Sequence, residues 1–298
     1  MMKNIKLKSI EIPNGETLGY RECGSGDKIL LLIHGNMTSS KHWDLVMENL
    51  PNDYKVYAVD LRGFGISSYN KPINSLKDFS DDIKMFVDEI GLEKFYIGGW
   101  STGGGVAMKF TADYQKYVEK LILIESVGIK GYPIFKKDNE GRAIMTELLK
   151  TKEEIAEDPI QVIPIVNAYK NKDTKTLRKI WEQTIYTHNK PEESRYVDYL
   201  DDMLTQRNLV DVDYALATFN ISNSDNGVIL GNNDVEKINI PTLIIQGDRD
   251  LVVPMDMAKG IKEGIGDNAK LTILKDSGHS PLIDNLNELI QNIIDFIN

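Results

Sequence analysis

Cysteine is nearly absent: Cys23 is the single thiol among 298 residues. No disulfide can form within the chain, and a reducing compartment suits it. Histidine is almost as scarce, at four residues, and neither a His-Glu-x-x-His run nor a Cys/His cluster occurs. Hydrolysis at a protein-bound metal is thereby set aside, and no metal or cofactor is expected. No stretch approaches the ~18 uninterrupted apolar residues of a membrane span. The basic opening Met1-Met2-Lys3-Asn4-Ile5-Lys6-Leu7-Lys8 lacks the apolar run that a signal peptide needs, so a cytoplasmic location is expected. Positive charge is in deficit too: a net charge of −10 opposes nucleic acid and anionic membranes as partners. What remains, 41% hydrophobic and 27% charged, is an ordinary globular composition, long enough for one large α/β core with an inserted subdomain.

Residues 5–12 and 17–22 alternate apolar with polar side chains around Pro13-Asn14-Gly15, which predicts an antiparallel hairpin. The apolar run 28–33 suits a strand covered on both faces. A helix near 42–49 and a strand over 55–60 follow. The next helix, 76–90, carries apolar residues at 79, 83, 86, 87 and 90, the helical period. Phe95-Tyr96-Ile97 and residues 118–125 read as further strands with a helix between them, and this alternation predicts a doubly wound, mostly parallel sheet. Beyond Ser126 the rhythm breaks. Residues 131–237 are mostly charged and read as helices near 139–156, 158–171, 173–187, 191–206 and 210–219, with no buried-strand run. Strands resume at 242–246 and 270–274, and a helix over 283–297 closes the chain. Because the core needs these later strands, residues 131–237 are expected to be a helical lid inserted into a core of 1–130 and 238–298, rather than an independent domain.

The chemistry centres on Gly98-Gly99-Trp100-Ser101-Thr102-Gly103-Gly104-Gly105. A Gly-x-Ser-x-Gly frame between a strand and a helix holds its serine in a tight, strained turn with the hydroxyl projecting above the sheet. Side chains at 99 and 103 would collide where strand and helix converge. The helix start aims free N–H groups at an oxyanion formed on an attacked carbonyl. Gly105 stands where a phosphate-binding loop would need lysine, so a nucleotide cradle is excluded.

A serine nucleophile needs a base, usually histidine held by a carboxylate. His34 ends a strand, His42 begins a helix and His188 lies in the expected lid. His279 follows the last strand in Asp276-Ser277-Gly278-His279-Ser280-Pro281, at the carboxyl edge of the sheet where catalytic groups gather. His279 is therefore the candidate base. Gly247-Asp248-Arg249-Asp250-Leu251-Val252-Val253-Pro254 offers two carboxylates on the preceding strand's loop.

Over residues 28–127 and 241–298 the chain resembles the α/β-hydrolase-fold serine hydrolases, whose members place nucleophile, acid and base in the order found here. The resemblance implies Asp250 as the acid, with Asp248 closing a turn and Glu125 as the other place where the family sometimes puts its acid. It implies that the backbone N–H groups of Asn36, in His34-Gly35-Asn36, and of Thr102 form the oxyanion hole. Loop shaping is the favoured role for His34 and for Asp60-x-Arg62-Gly63-x-Gly65-x-Ser67. Met37 and Trp100 are candidate pocket residues, and Trp100 could equally pack beside the elbow.

The implied activity is hydrolysis of a small to medium apolar carboxylic ester, or of a lactone, through an acyl-enzyme on Ser101. Alternatives with the same triad are a perhydrolase, as in the similar cofactor-free haloperoxidases, a carbon–carbon bond hydrolase, and a small-molecule sensor. The Ser101 nucleophile sets aside the haloalkane dehalogenase and epoxide hydrolase chemistries, which use aspartate.

Overall fold

The computed structural model describes residues 3–298. In chain order the strands are β1 (Lys6–Glu11), β2 (Thr17–Gly24), β3 (Lys28–Ile33), β4 (Tyr54–Val59), β5 (Phe95–Trp100), β6 (Val118–Ile124), β7 (Phe135–Lys137), β8 (Ala143–Leu148), β9 (Thr242–Gly247) and β10 (Ala269–Leu274). All but β7 and β8 form one eight-stranded sheet in the order β1-β2-β4-β3-β5-β6-β9-β10. The hairpin β1–β2 and the β2–β4 pair are antiparallel, and every later pair is parallel. Strand order turns back beside β3, so the carboxyl ends of β3 and β5 border the crevice where such sheets bind ligands.

The helices are α1 (Asp44–Asn49), α2 (Leu76–Glu89), α3 (Thr102–Tyr114), α4 (Lys152–Ala156), α5 (Ile163–Asn171), α6 (Thr174–Thr184), α7 (Glu193–Met203), α8 (Leu209–Ala217), α9 (Met255–Ile265), α10 (Pro281–Asp284) and α11 (Leu286–Ile297). Residue alternation along the central strands divides the core. Leu31 and Ile33 of β3 pack with Phe79, Ile83 and Phe86 of α2 and Val106 and Phe110 of α3 on one face. Leu30 and Leu32 join Val46 and Met47 of α1 and Leu289 and Ile293 of α11 on the other. Both faces are covered, which is why β3 reads as one apolar run.

Two elements differ from the sequence expectation. The helix expected over 139–156 is instead the β7–β8 hairpin followed by the short α4. The hairpin turns at Asp138-Asn139-Glu140-Gly141: Asp138 Oδ1 accepts from Glu140 N and Arg142 N, both at 2.9 Å, and Gly141 has φ +80°. That aspartate–glycine turn breaks the helix. The last predicted helix is also split, at Asn285, into α10 and α11. Among the described residues no helix is long and apolar enough to cross a membrane.

The start of α3 packs against β5 and the end of β3 with no room for a side chain. A Cβ on Gly99 would lie 2.2 Å from the Gly103 carbonyl oxygen, and one on Gly103 would lie 2.2 Å from the Ile33 carbonyl oxygen. Both obstacles are backbone and cannot swing away. Gly99→Ala is expected to cost about 3 kcal/mol, seen as a lowered urea unfolding midpoint. A midpoint equal to that of the parent chain would contradict this packing.

Candidate active site

Ser101 sits between the end of β5 and the start of α3 with φ +56° and ψ −120°, outside the conformations open to a relaxed serine. Neighbouring backbone holds it there: Ser101 N donates to Ile124 O at 2.9 Å, and Ser101 O accepts from Gly104 N at 2.9 Å and Val127 N at 3.3 Å. The hydroxyl is thus lifted out of the helix start toward the loops after β9 and β10.

Those loops deliver the other two candidates. His279 Nε2 lies 3.0 Å from Ser101 Oγ, and His279 Nδ1 lies 2.8 Å from Asp250 Oδ2. An ionised carboxylate can only accept, so Nδ1 carries the ring hydrogen and Nε2 is left to accept from the serine. Asp250 is fixed in turn, its Oδ1 accepting from Val252 N at 2.7 Å and Val253 N at 2.9 Å. Burial works against its charged form. The neighbouring His279 ring and the hydrogen bonds outweigh that and hold its pKa below the ordinary aspartate value. The histidine loop is anchored at both ends of the residue: Trp100 Nε1 donates to His279 O at 2.8 Å, and Gly278 N donates to Asp284 Oδ2 at 2.8 Å.

Thr102 and Asn36 line the same cavity as Ser101 and His279. Among the described residues neither backbone N–H has a hydrogen-bond partner. The Asn36 side chain is tied down instead, donating to Asp213 Oδ1 at 2.9 Å and accepting from Gln206 Nε2 at 2.8 Å. Met37 follows with φ +60°, its N–H shared between Asn36 Oδ1 and Gln206 Oε1.

The remaining candidates fall outside this cluster. His34 is fully buried; Leu61 N donates to its Nε2 at 3.0 Å, so the ring hydrogen is on Nδ1, which faces Gly35 O at 2.7 Å. Asp60 accepts from Ser40 N and Ile66 N, shaping the neighbouring loop. His42 stacks on Tyr199 with ring centroids 4.2 Å apart. His188 pairs with Thr187, and Asp248 is exposed on its turn. Trp100 does both things the sequence left open: it braces the histidine loop and lines the cavity.

Glu125 is not an alternative partner for His279. It lies behind Asp250, wholly buried, with Oε1 accepting from Gly247 N at 2.7 Å. Ionised, its Oε2 would be a buried oxygen without a donor. Burial and then the charge of Asp250 raise its pKa well above the usual glutamate value, which favours its protonated form.

A cavity of about 420 Å³ opens over Ser101. Its floor is Asn36, Met37, Trp100, Ser101 and His279, and its walls come largely from the segment between β6 and β9, including Tyr132, Ile134, Ile165, Trp181, Leu209 and Leu216. The sequence pointed to the floor but missed the polar wall residues Gln161, Gln183, Thr184 and Asp213. For Asp213 a signal was present: with Leu209 and Leu216 it falls on one helical face, an acid inside an apolar stripe.

A family model described as "alpha/beta hydrolase fold" matches residues 28–286. A 2-hydroxy-6-oxononadienedioate/2-hydroxy-6-oxononatrienedioate hydrolase of Klebsiella pneumoniae is 26% identical over 92% of this chain and 89% of its own length. Lipase 1 of Psychrobacter immobilis is 24% identical over 97% of this chain and 83% of its own. Among solved structures, an esterase from Exiguobacterium antarcticum superposes with a TM-score of 0.75 at 20% identity, covering 97% of this chain and 98% of the esterase, a likeness of fold.

The buried Glu125 generates a stability prediction. Its folded-state pKa lies above the ordinary value of 4.5, so the native state holds a proton that the unfolded chain releases. The stability that Glu125 contributes is therefore present in full below about pH 4.5 and falls as pH rises toward its raised folded-state value. Glu125→Gln keeps a donor toward Asp250 and an acceptor for Gly247 but has no proton to lose. Its unfolding midpoint should equal the wild type's at acid pH and exceed it increasingly above about pH 5. An advantage that is independent of pH, or reversed, would contradict a protonated Glu125.

Proposed function

The chain belongs to the alpha/beta hydrolase fold family, and from that premise we propose that it is a serine hydrolase cleaving carboxylic esters through an acyl-enzyme on Ser101. The observation that carries the proposal is the continuous relay Ser101 Oγ, His279 Nε2, His279 Nδ1 and Asp250 Oδ2, with steps of 3.0 and 2.8 Å. Ser101 attacks the ester carbonyl as His279 takes its proton, and Asp250 stabilises the imidazolium. The backbone N–H groups of Asn36 and Thr102 donate to the oxyanion, an arrangement worth about 3 kcal/mol per donor in the barrier. His279 then protonates the departing alcohol. Water enters, gives its proton to the same nitrogen, and releases the acid from Ser101.

Residues 131–237 serve as the lid of this site, since most of the cavity wall comes from them. The wall also bears on substrate class. The Klebsiella relative is named for a dioate, whose second carboxylate calls for a cationic partner. Among the described residues lining this cavity none is Lys or Arg, and one, Asp213, is acidic. An anionic substrate arm is thus disfavoured, and an ester with an uncharged or cationic chain is favoured.

Ser101→Ala is expected to keep the parental unfolding midpoint within about 1 kcal/mol while losing at least about 10³-fold in kcat/KM on p-nitrophenyl butanoate. Turnover persisting in that variant would remove Ser101 from the chemistry.

A further inference from the structure

Asp213 is an acid in an unusual place. It sits on α8 between Leu209 and Leu216, and all three line the cavity over Ser101. The same helix turns Val212, Ala215 and Leu216 into the hydrophobic core, so α8 needs no charge for packing. Among the described residues Asp213 accepts one hydrogen bond, from Asn36 Nδ2 to its Oδ1. An ionised carboxylate has acceptor capacity for about four donors, and none comes from a lysine or arginine here. The second oxygen is left to the cavity. Withdrawal from bulk water pushes its pKa up to about 7, the Asn36 bond opposing and Asp158 adding to the rise. An acid kept at that cost, beside a cavity and short of donors, marks a site where a ligand completes the hydrogen bonding.

Granting the ester-hydrolase reading above, on which it rests, we propose that Asp213 is a specificity-determining residue whose free carboxylate oxygen accepts a hydrogen bond from a hydroxyl or ammonium group on the substrate chain. The preferred substrates are esters whose chain carries a hydrogen-bond donor beyond the carbonyl. A donor-bearing chain is held by Asp213, and the isosteric alkyl chain leaves that oxygen unsatisfied, a loss sites of this kind discriminate strongly. Whether the donor is neutral or charged follows from comparing the two.

Asp213→Asn provides the test, because the amide oxygen still accepts from Asn36 while the group facing the cavity becomes an N–H donor. Kinetics would use p-nitrophenyl esters of ω-hydroxy and ω-amino acids across a range of chain lengths, each against the alkyl ester of matched length. In the wild type the best donor-bearing ester should exceed its alkyl match by about tenfold in kcat/KM, expressed mainly in KM. In Asp213→Asn that ratio should fall to about one or below. A wild-type ratio near one, or a ratio that Asp213→Asn leaves in place, overturns the role of Asp213. The corresponding methyl esters would also be titrated calorimetrically into Ser101→Ala and into Ser101→Ala/Asp213→Asn. Binding needs no turnover, so the Asp213 assignment stands or falls there even if ester hydrolysis fails. Tighter binding of the donor-bearing ester that disappears in the double variant supports the assignment, and equal binding of both esters contradicts it.

Discussion

The site depends on one backbone constraint, the left-handed turn at Ser101. A non-glycine residue at φ +56° costs on the order of 1–3 kcal/mol and persists only where its surroundings leave no alternative. Here α3 is pressed against β5 at Gly99, against the end of β3 at Gly103 and against Ser126, after β6, at Gly104, and Ile124, Gly104 and Val127 hydrogen-bond both sides of the serine peptide. Relaxing the turn would need the strand and helix to part, and both are buried in the core. The strain therefore positions the hydroxyl and leaves the Thr102 N–H free at the head of α3.

Around that turn the electrostatics are ordered in layers. Asp250 stays ionised because two backbone N–H groups and the His279 ring face it. The carboxyl behind it, Glu125, is driven toward its protonated form, first by burial and then by the charge of Asp250. The pair has its pKa values pushed apart by environment, the same logic by which active sites assign a base and an acid to chemically similar groups. Trp100 and Asp284 then fix the backbone on either side of the imidazole, so its geometry does not rest on the Asp250 bond alone.

The parallel sheet was legible in the sequence because its strands are covered on both faces and its helices are amphipathic. The choice of Asp250 over Asp248 came from the family resemblance, while the strand ends that carry Ser101, Asp250 and His279 were legible from the apolar runs before them. The β7–β8 hairpin was not: its strands are largely exposed, so their side chains carry no burial pattern, and Met145 and Leu148 happen to fall at helical spacing. Glu125's place behind Asp250 and the cavity position of Asp213 escaped for another reason. Their roles depend on burial and on partners distant in the chain, Gly247 and Asp250 for the one and Asn36 for the other. Sequence spacing pointed to candidate groups at strand ends but gave no measure of the medium between them.

The most direct measurement of the central claim is covalent labelling with a fluorophosphonate, read by intact mass and peptide mapping. The account predicts one adduct per chain, located on Ser101, forming rapidly in the wild type and at least about 10²-fold more slowly in His279→Ala, because the serine then lacks its base. An adduct on another residue, or labelling of Ser101 at the same rate without the imidazole, would contradict it.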